Sequence, residues 1–257
     1  MDPDQIAFIL AAMGASFASG VLSTVSGLGG GVAIIALLAI FVPPHLVVVF
    51  SSPVLLVGNT SRFLLFRRHV DRKLLGWFLV GGIPFAVAGS MLLPHIPVRT
   101  LELALAGFML IFVLESLLTR NWREEARSRP VRQGMAWLVR PATSFAVVGA
   151  GAGFLSSTVG ASGPFIAPFL ATKGLSKQRF VGTISGGTTA LNVAKISTFA
   201  SVGLLGVENV PALVGAAVAI VGGNLVGRRM LDRASHRTFA ILLITVIAVS
   251  GVQLLIG

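Results

Sequence analysis

Residues 20–31 read GVLSTVSGLGGG, and residues 153–164 read GFLSSTVGASGP. The two stretches align when the chain is shifted by the 133 residues that separate Gly20 from Gly153. The shift also superposes further identical pairs, namely Val48 and Val181, Ser52 and Ser185, Asn59 and Asn192, Phe66 and Phe199, Gly82 and Gly215, and Gly89 and Gly222. The register then moves by five residues, from Arg99 to Arg237. We interpret the pattern as an internal duplication.

The composition places this chain in a membrane. Of its 257 residues, 54% are hydrophobic and 11% are charged, whereas about a quarter of a typical soluble protein is charged. The net charge of +11 would suggest nucleic-acid binding in a soluble protein, but here it indicates topology, and no nucleic-acid partner is expected. The absence of cysteine excludes disulfides and thiolate chemistry.

Ten apolar segments follow one another along the chain, at 6–25, 28–42, 46–66, 74–93, 100–118, 141–158, 160–172, 180–205, 209–228 and 237–256. Eight approach the roughly 20 residues that a membrane-spanning helix needs. The segments 28–42 and 160–172 are shorter and glycine-rich at their start, which predicts two half-helices. The first segment follows an acidic start without a cleavage site, so we expect it to stay in the mature protein.

Basic residues concentrate in four alternate loops. They are Arg67, Arg68, Arg72 and Lys73; Arg120, Arg123, Arg127, Arg129, Arg132 and Arg140; Lys173, Lys177 and Arg179; and Arg228, Arg229, Arg233 and Arg237. The positive-inside rule makes these loops cytoplasmic and puts both termini on the other side of a bacterial-type inner membrane. The six-arginine loop is read as an orientation signal, with contact to anionic lipids as a secondary role.

The predicted fold is an all-α, multi-pass bundle of two inverted repeats. Each half has five segments, an odd number, so the second half enters the membrane upside down. The first repeat covers residues 1–118, a basic cytoplasmic linker covers 119–140, and the second repeat covers 141–257. A re-entrant hairpin would preserve the charge pattern, so the number of membrane helices stays between eight and ten. Inverted repeats are typical of secondary transporters, which bind substrate near the midplane.

The glycine-rich breaks form the first candidate substrate site. They comprise Gly27, Gly29, Gly30 and Gly31 in the first half, and Gly160, Ser162, Gly163 and Pro164 in the second. Each break opens a short helix, and the free N–H groups at a helix N-terminus favour an anion. The alternative is that these glycines serve only close helix packing.

Two intramembrane cations form the second candidate site. Asn59 and Arg62 correspond to Asn192 and Lys195, and each pair lies on one helix face. Charges inside the bilayer are costly and usually face the interior of the bundle. For Lys195 the structural alternative is a pair with Glu115 or with backbone carbonyls. Arg62 has the alternative of snorkelling toward the nearby basic loop.

The sequence gives little support for a proton relay, a metal site, ATP hydrolysis or catalysis. Glu102 and Glu115 are either proton relays or partners for the basic loops. No metal-ligand motif and no ATP-binding motif occurs, so no cofactor is expected. An enzyme is disfavoured, because Ser156 and Ser157 lie at membrane depth without a histidine.

The chain resembles the TauE/SafE family of sulfite and organosulfonate exporters over nearly its whole length. The resemblance rests on Gly20-x-x-Ser23-x-x-x-Gly27-Leu28-Gly29-Gly30-Gly31, on Arg67-Arg68-His69-Val70-Asp71, and on Gly153-x-x-Ser156-x-x-x-Gly160-x-x-Gly163-Pro164. Ser162 departs from the family's usual glycine. The resemblance implies transport of small sulfur oxyanions or sulfonates.

The leading hypothesis is a secondary transporter that exports a small anion across the lipid bilayer. The alternatives are a carrier of a cation or neutral solute, which would favour buried carboxylates, and a non-transporting scaffold. The membrane potential alone favours anion export, whereas import would need a coupled proton or sodium ion. The sequence leaves the oligomeric state open.

Overall fold

A computed structural model of the chain describes residues 3–26, 30–39, 44–118, 144–160, 162, 165–166, 169, 175–204, 210–230, 248 and 252. Within these ranges the protein is helical and has no strand. The main helices are α1 (Pro3–Ser26), α2 (Gly30–Leu38), α3 (Pro44–Phe66), α4 (Arg72–Leu92), α5 (Val98–Leu118), α6 (Phe145–Thr158), α7 (Lys177–Ser201) and α8 (Val210–Met230). Short 3₁₀ turns at Arg67–His69 and Leu93–His95 follow α3 and α4.

The all-helical class is confirmed for the described residues. Eight of the ten predicted segments each contain one of these helices, with ends that differ by a few residues, and α2 is nine residues long. Most of the segments 160–172 and 237–256, and the whole linker 119–140, lie outside the described residues. The number of spans therefore remains a prediction.

Local sequence explains where several helices begin and end. Pro44 opens α3, where its missing N–H leaves no hydrogen bond unmade. The side chain of Asp71 caps α4 by accepting a hydrogen bond of 3.1 Å from the N–H of Leu74. At the end of α7, Gly203 adopts φ +74°, and the next N–H, of Leu204, donates to the carbonyl of Phe199 at 2.9 Å. This Schellman arrangement favours glycine because of its positive φ.

Three helical stretches of the described chain are long and apolar enough to cross a bilayer: Leu46–His69, Arg72–His95 and Pro211–Met230. Shorter apolar stretches are Ile9–Thr24 and Phe145–Thr158. At 25 residues, α7 is also long enough to span the hydrocarbon, but it carries more polar residues than the other long helices.

Two tight helix pairs flank a central crossing. The first pair is α1 with α8, the second is α4 with α6, and α3 packs against α7 between them. Backbones approach closely in both pairs, because a Cβ at Gly20 would collide with the carbonyl of Ile220, and one at Gly153 with the carbonyl of Gly82. Small residues at such contacts let membrane helices associate.

Corresponding residues meet in the two helix pairs: Gly89 lies against Phe154 and Ser157, and Gly227 lies against Val21 and Thr24. A methyl group added at Gly89 would lie 3.2 Å from the carbonyl oxygen of Phe154. The same addition at Gly227 would lie 2.8 Å from the carbonyl oxygen of Val21. The contacts are thus alike in kind and position.

These contacts correct the register of the sequence match. They pair Gly89 with Gly227, not with Gly222, and they likewise pair Gly82 with Ile220, not with Gly215. The five-residue shift therefore lies between α3 and α4, and not after α4. The error arose because regularly spaced glycines match one another in more than one register.

Replacing Gly153 by alanine should destabilise the protein, because the new Cβ would press on the backbone of α4. We expect the free energy of unfolding to fall by about 1–3 kcal/mol, measured by thermal denaturation in detergent. Gly14→Ala is the matched control, since a Cβ there has no neighbour within 4 Å among the described residues. Equal melting temperatures for the two variants would contradict the packing described above.

Candidate functional site

The ammonium group of Lys195 is held at the end of α6. Lys195 is fully buried, and its Nζ donates to the carbonyl oxygen of Ser156 at 2.9 Å and to the hydroxyl of Ser156 at 3.2 Å. Ser156 lies in the last turn of α6, where backbone carbonyls lack helical partners and attract a cation. The structural alternative of a backbone carbonyl partner is thus confirmed. The side chain of Glu115 lies outside the described residues.

Arg62 is buried within the bundle, with 7% of its surface exposed, so it does not snorkel to the basic loop. Its guanidinium donates to Oδ1 of Asn59, one turn earlier on α3. Its Nε–H has no partner among the described residues. Neither Arg62 nor Lys195 forms an ion pair with a described carboxylate.

The two halves therefore hold their equivalent residues differently. Asn59 accepts a hydrogen bond from the cation on its own helix, whereas Oδ1 of Asn192 is buried without a partner in the described part of the chain. Lys195 has turned instead to α6. The sequence repeats the residues of the site, but the structure does not repeat their contacts.

The glycine-rich breaks are described only in part. Gly27, Gly29, Gly163 and Pro164 lie outside the described residues. Gly30 and Gly31 form the first turn of α2, as the half-helix prediction requires.

The second break begins just beyond α6. Gly160 has a φ of +82°, and Ser162 is buried. A side chain at Gly160 would clash with Ile35, so this glycine brings α2 against the chain that follows α6.

The described carboxylates lie away from the two cations. Glu102 pairs with Arg99 on its own helix at 3.1 Å, so its assignment as a partner of the basic loops was wrong. Asp71 pairs with the exposed Arg179 at 3.2 Å, and its backbone N–H donates to the hydroxyl of Thr183 at 2.9 Å. The Arg-Arg-His-Val-Asp motif, at residues 67–71, is therefore hydrogen-bonded through Asp71 to the start of α7.

Sequence reasoning missed one buried polar junction, centred on Asn224. Its side chain accepts from the hydroxyl of Thr24 at 2.9 Å and donates to the carbonyl of Gly58 at 2.9 Å and to Ser61 at 2.6 Å. These bonds join α8 to α1 and α3. The position of Asn224, well inside the apolar segment 209–228, was the available signal.

Two buried cations, a buried amide and the glycine-rich start of α2 are features that suit a membrane site for an anion. The model of the TauE/SafE sulfite exporter family matches residues 12–254. The chain belongs to the TauE/SafE family. No significant match was found among curated proteins or solved structures.

Membership in the TauE/SafE family makes this chain a membrane transporter of the sulfite and sulfonate type. Within the described residues there is no group of His, Cys, Asp or Glu side chains that could hold a metal ion. The contact between Lys195 and Ser156 has the composition of a serine–lysine nucleophile pair, but the TauE/SafE assignment favours transport over catalysis.

The two buried asparagines of this TauE/SafE protein should differ in their effect on stability. Asn224→Leu leaves the hydroxyl of Thr24 without its described acceptor and removes the bonds to Gly58 and Ser61, and we expect it to lower the free energy of unfolding by about 1–2 kcal/mol. Asn192→Leu removes no described hydrogen bond, so its cost should stay below about 0.5 kcal/mol. Thermal denaturation in detergent measures both, and a larger loss for Asn192→Leu would show that this asparagine is structural.

Proposed function

We propose that this protein is a secondary transporter that exports a small anion, such as sulfite, thiosulfate or an organosulfonate, by alternating access. The observation that carries the proposal is the burial of Arg62 and Lys195 without a described carboxylate partner. An isolated charge in a low-dielectric interior is strongly unfavourable. An anion between the helices would supply the missing negative charge.

The proposed substrate site lies at the crossing of α3 and α7. Asn59, Arg62, Asn192 and Lys195 provide the side chains. The glycine-rich breaks contribute backbone N–H groups through Gly27, Gly29, Gly30, Gly31, Gly160, Ser162 and Gly163, and Pro164, which has no N–H, begins the second short helix. Lys195 uses two of its three N–H donors on Ser156 among the described residues, which leaves one for a ligand.

Alternating access rests on two inverted repeats, residues 1–118 and 141–257, joined by the linker 119–140. Helix packing between the two halves supports this arrangement. The first helix of the first half, α1, packs on α8 of the second half, and the first helix of the second half, α6, packs on α4 of the first half. Rigid movement of one half against the other would expose the α3–α7 crossing to each side of the membrane in turn.

We also propose that both termini lie outside the cytoplasm of a cell with a bacterial-type inner membrane. The exposed basic residues of the described chain include Arg67, Arg68, Arg72, Arg179 and Arg228. They lie near the end of α3, the beginnings of α4 and α7, and the end of α8. A negative interior contributes about 2.3 kcal/mol per charge per 100 mV toward expelling an anion, so export needs no coupling ion, whereas import needs a proton or sodium ion.

A carrier of a cation or neutral solute is the second candidate. Such a carrier would place carboxylates in its core, but no Asp or Glu occurs among the buried polar residues of the described ranges. The anion is therefore the better match.

Removing either buried cation should abolish anion binding. We expect sulfite at 100 times its Kd to stabilise the purified protein by about 2.7 kcal/mol, and Lys195→Met and Arg62→Met to lose this stabilisation. Thermal shifts in detergent across sulfite, thiosulfate, sulfate, taurine and phosphate give the measurement. Arg68→Gln is the control, because it removes an exposed cation of the basic loop.

Two results would contradict the proposal. If sulfite raised the melting temperatures of both Lys195→Met and Arg62→Met as much as that of the wild type, neither cation would belong to the binding site. Stabilisation by a cation or neutral solute alone would favour the second candidate.

The chain contains no cysteine, so single cysteines report its orientation directly. In intact spheroplasts, a membrane-impermeant maleimide should label Pro97→Cys, near the start of α5, and should leave Arg68→Cys unlabelled until the membrane is broken. Both positions are exposed. The reverse labelling pattern would contradict the proposed topology.

A further inference from the structure

Two buried hydroxyls on α7 depart from the usual behaviour of serine and threonine in helices. Such hydroxyls commonly donate to a carbonyl one turn earlier, and eight of the described hydroxyls do so: Ser23, Ser51, Ser52, Ser61, Thr158, Thr188, Thr198 and Ser201. In contrast, four hydroxyl oxygens are buried without a partner among the described residues: those of Ser16 on α1, Ser90 on α4, and Ser185 and Thr189 on α7. Buried polar atoms are nearly always hydrogen-bonded, and of these four only Ser185 and Thr189 lie on the same helix.

The packing of α3 and α7 places these hydroxyls near Arg62. A methyl group added at Gly182 would lie 2.9 Å from the carbonyl of Phe66, and one added at Gly186 would lie 3.0 Å from the ring of Phe63. The two helices are therefore antiparallel.

The helical repeat extends this alignment along both helices. Ser185 and Thr189 share a face of α7 with Gly182 and Gly186, and Asn59 and Arg62 share a face of α3 with Phe63 and Phe66. Ser185 thus lies at the level of Arg62, and Thr189 lies one turn further, at the level of Asn59.

Arg62 contributes a third unpartnered group at this crossing. Its Nε–H is buried and donates to no described residue. The alignment therefore places one cationic donor and two hydroxyls at similar levels on the faces of α3 and α7 that pack together.

We propose that Arg62, Ser185 and Thr189 bind an anion that offers several oxygen acceptors. The inference rests on the proposed function and assigns to it two residues outside the sequence-derived site. An anion with three oxygens can accept from all three donors, whereas a halide offers a single centre.

The equivalent positions on α3 do not form such a site. Ser52 occupies the position equivalent to Ser185, and its hydroxyl already donates to the carbonyl of Val48 at 2.7 Å. Leu56 occupies the position equivalent to Thr189. The free hydroxyls therefore belong to one side of the pseudosymmetric crossing, and the anion binds off its centre.

The test measures sulfite binding and sulfite transport by the full-length protein carrying Ser185→Ala or Thr189→Val. Each variant should raise the Kd for sulfite about tenfold or more, as expected for the loss of a hydrogen bond to a charged group. Chloride binding should change less than twofold. The matched controls are Ser52→Ala and Thr188→Val, whose hydroxyls bond to their own helix, and their Kd should stay within twofold of the wild type.

Thr189→Ser separates the hydroxyl from the volume of the side chain. Restored sulfite affinity supports the site, and a loss equal to that of Thr189→Val overturns it. Wild-type Kd values in both Ser185→Ala and Thr189→Val overturn this inference but leave the transporter proposal intact. If the wild-type protein binds and transports none of the anions tested, the proposed function fails and this site fails with it.

Discussion

The close approach of helix backbones at glycine is the constraint on which the rest of this structure depends. In a bilayer, apolar contact between helices contributes little free energy to their association, because lipid tails are equally apolar. Association therefore relies on packing at small residues and on hydrogen bonds. Gly20 and Gly223 let α1 meet α8, and Gly149 and Gly153 let α6 meet α4. These two pairs hold α3 and α7 between them and shield the polar residues at the crossing from lipid.

Shielding is what makes buried charge tolerable. Arg62 and Lys195 would be strongly unfavourable on a lipid-facing surface, yet here they lie in the interior with amide and carbonyl partners. Such partners satisfy hydrogen-bonding directions without cancelling charge. The described interior consequently holds two basic side chains and no buried carboxylate, which supports the proposed anion site.

Much of the fold could be predicted from the sequence, because hydrocarbon thickness fixes helix length and charged residues mark the ends. The segment 46–66, for instance, became Pro44–Phe66. The register of the duplication was predicted wrongly beyond α3, since glycine spacing alone does not distinguish Gly222 from Gly227. The contacts of Asn224 were beyond prediction, because they join residues 163 to 200 positions apart along the chain.

The candidate site shows the same division between what sequence determines and what packing determines. The equivalence of Arg62 and Lys195 in the repeat was visible in the sequence. The difference between their hydrogen-bond partners, Asn59 and Ser156, was not. The unlike partners bear on the proposed mechanism, because two inverted halves with identical contacts would open equally to both sides of the membrane. An alternating-access transporter of the proposed inverted construction would hold its halves in different arrangements at any moment. The described contacts of α3 and α7 differ in this way, with one cation bonded within its own helix and the other bonded across to α6.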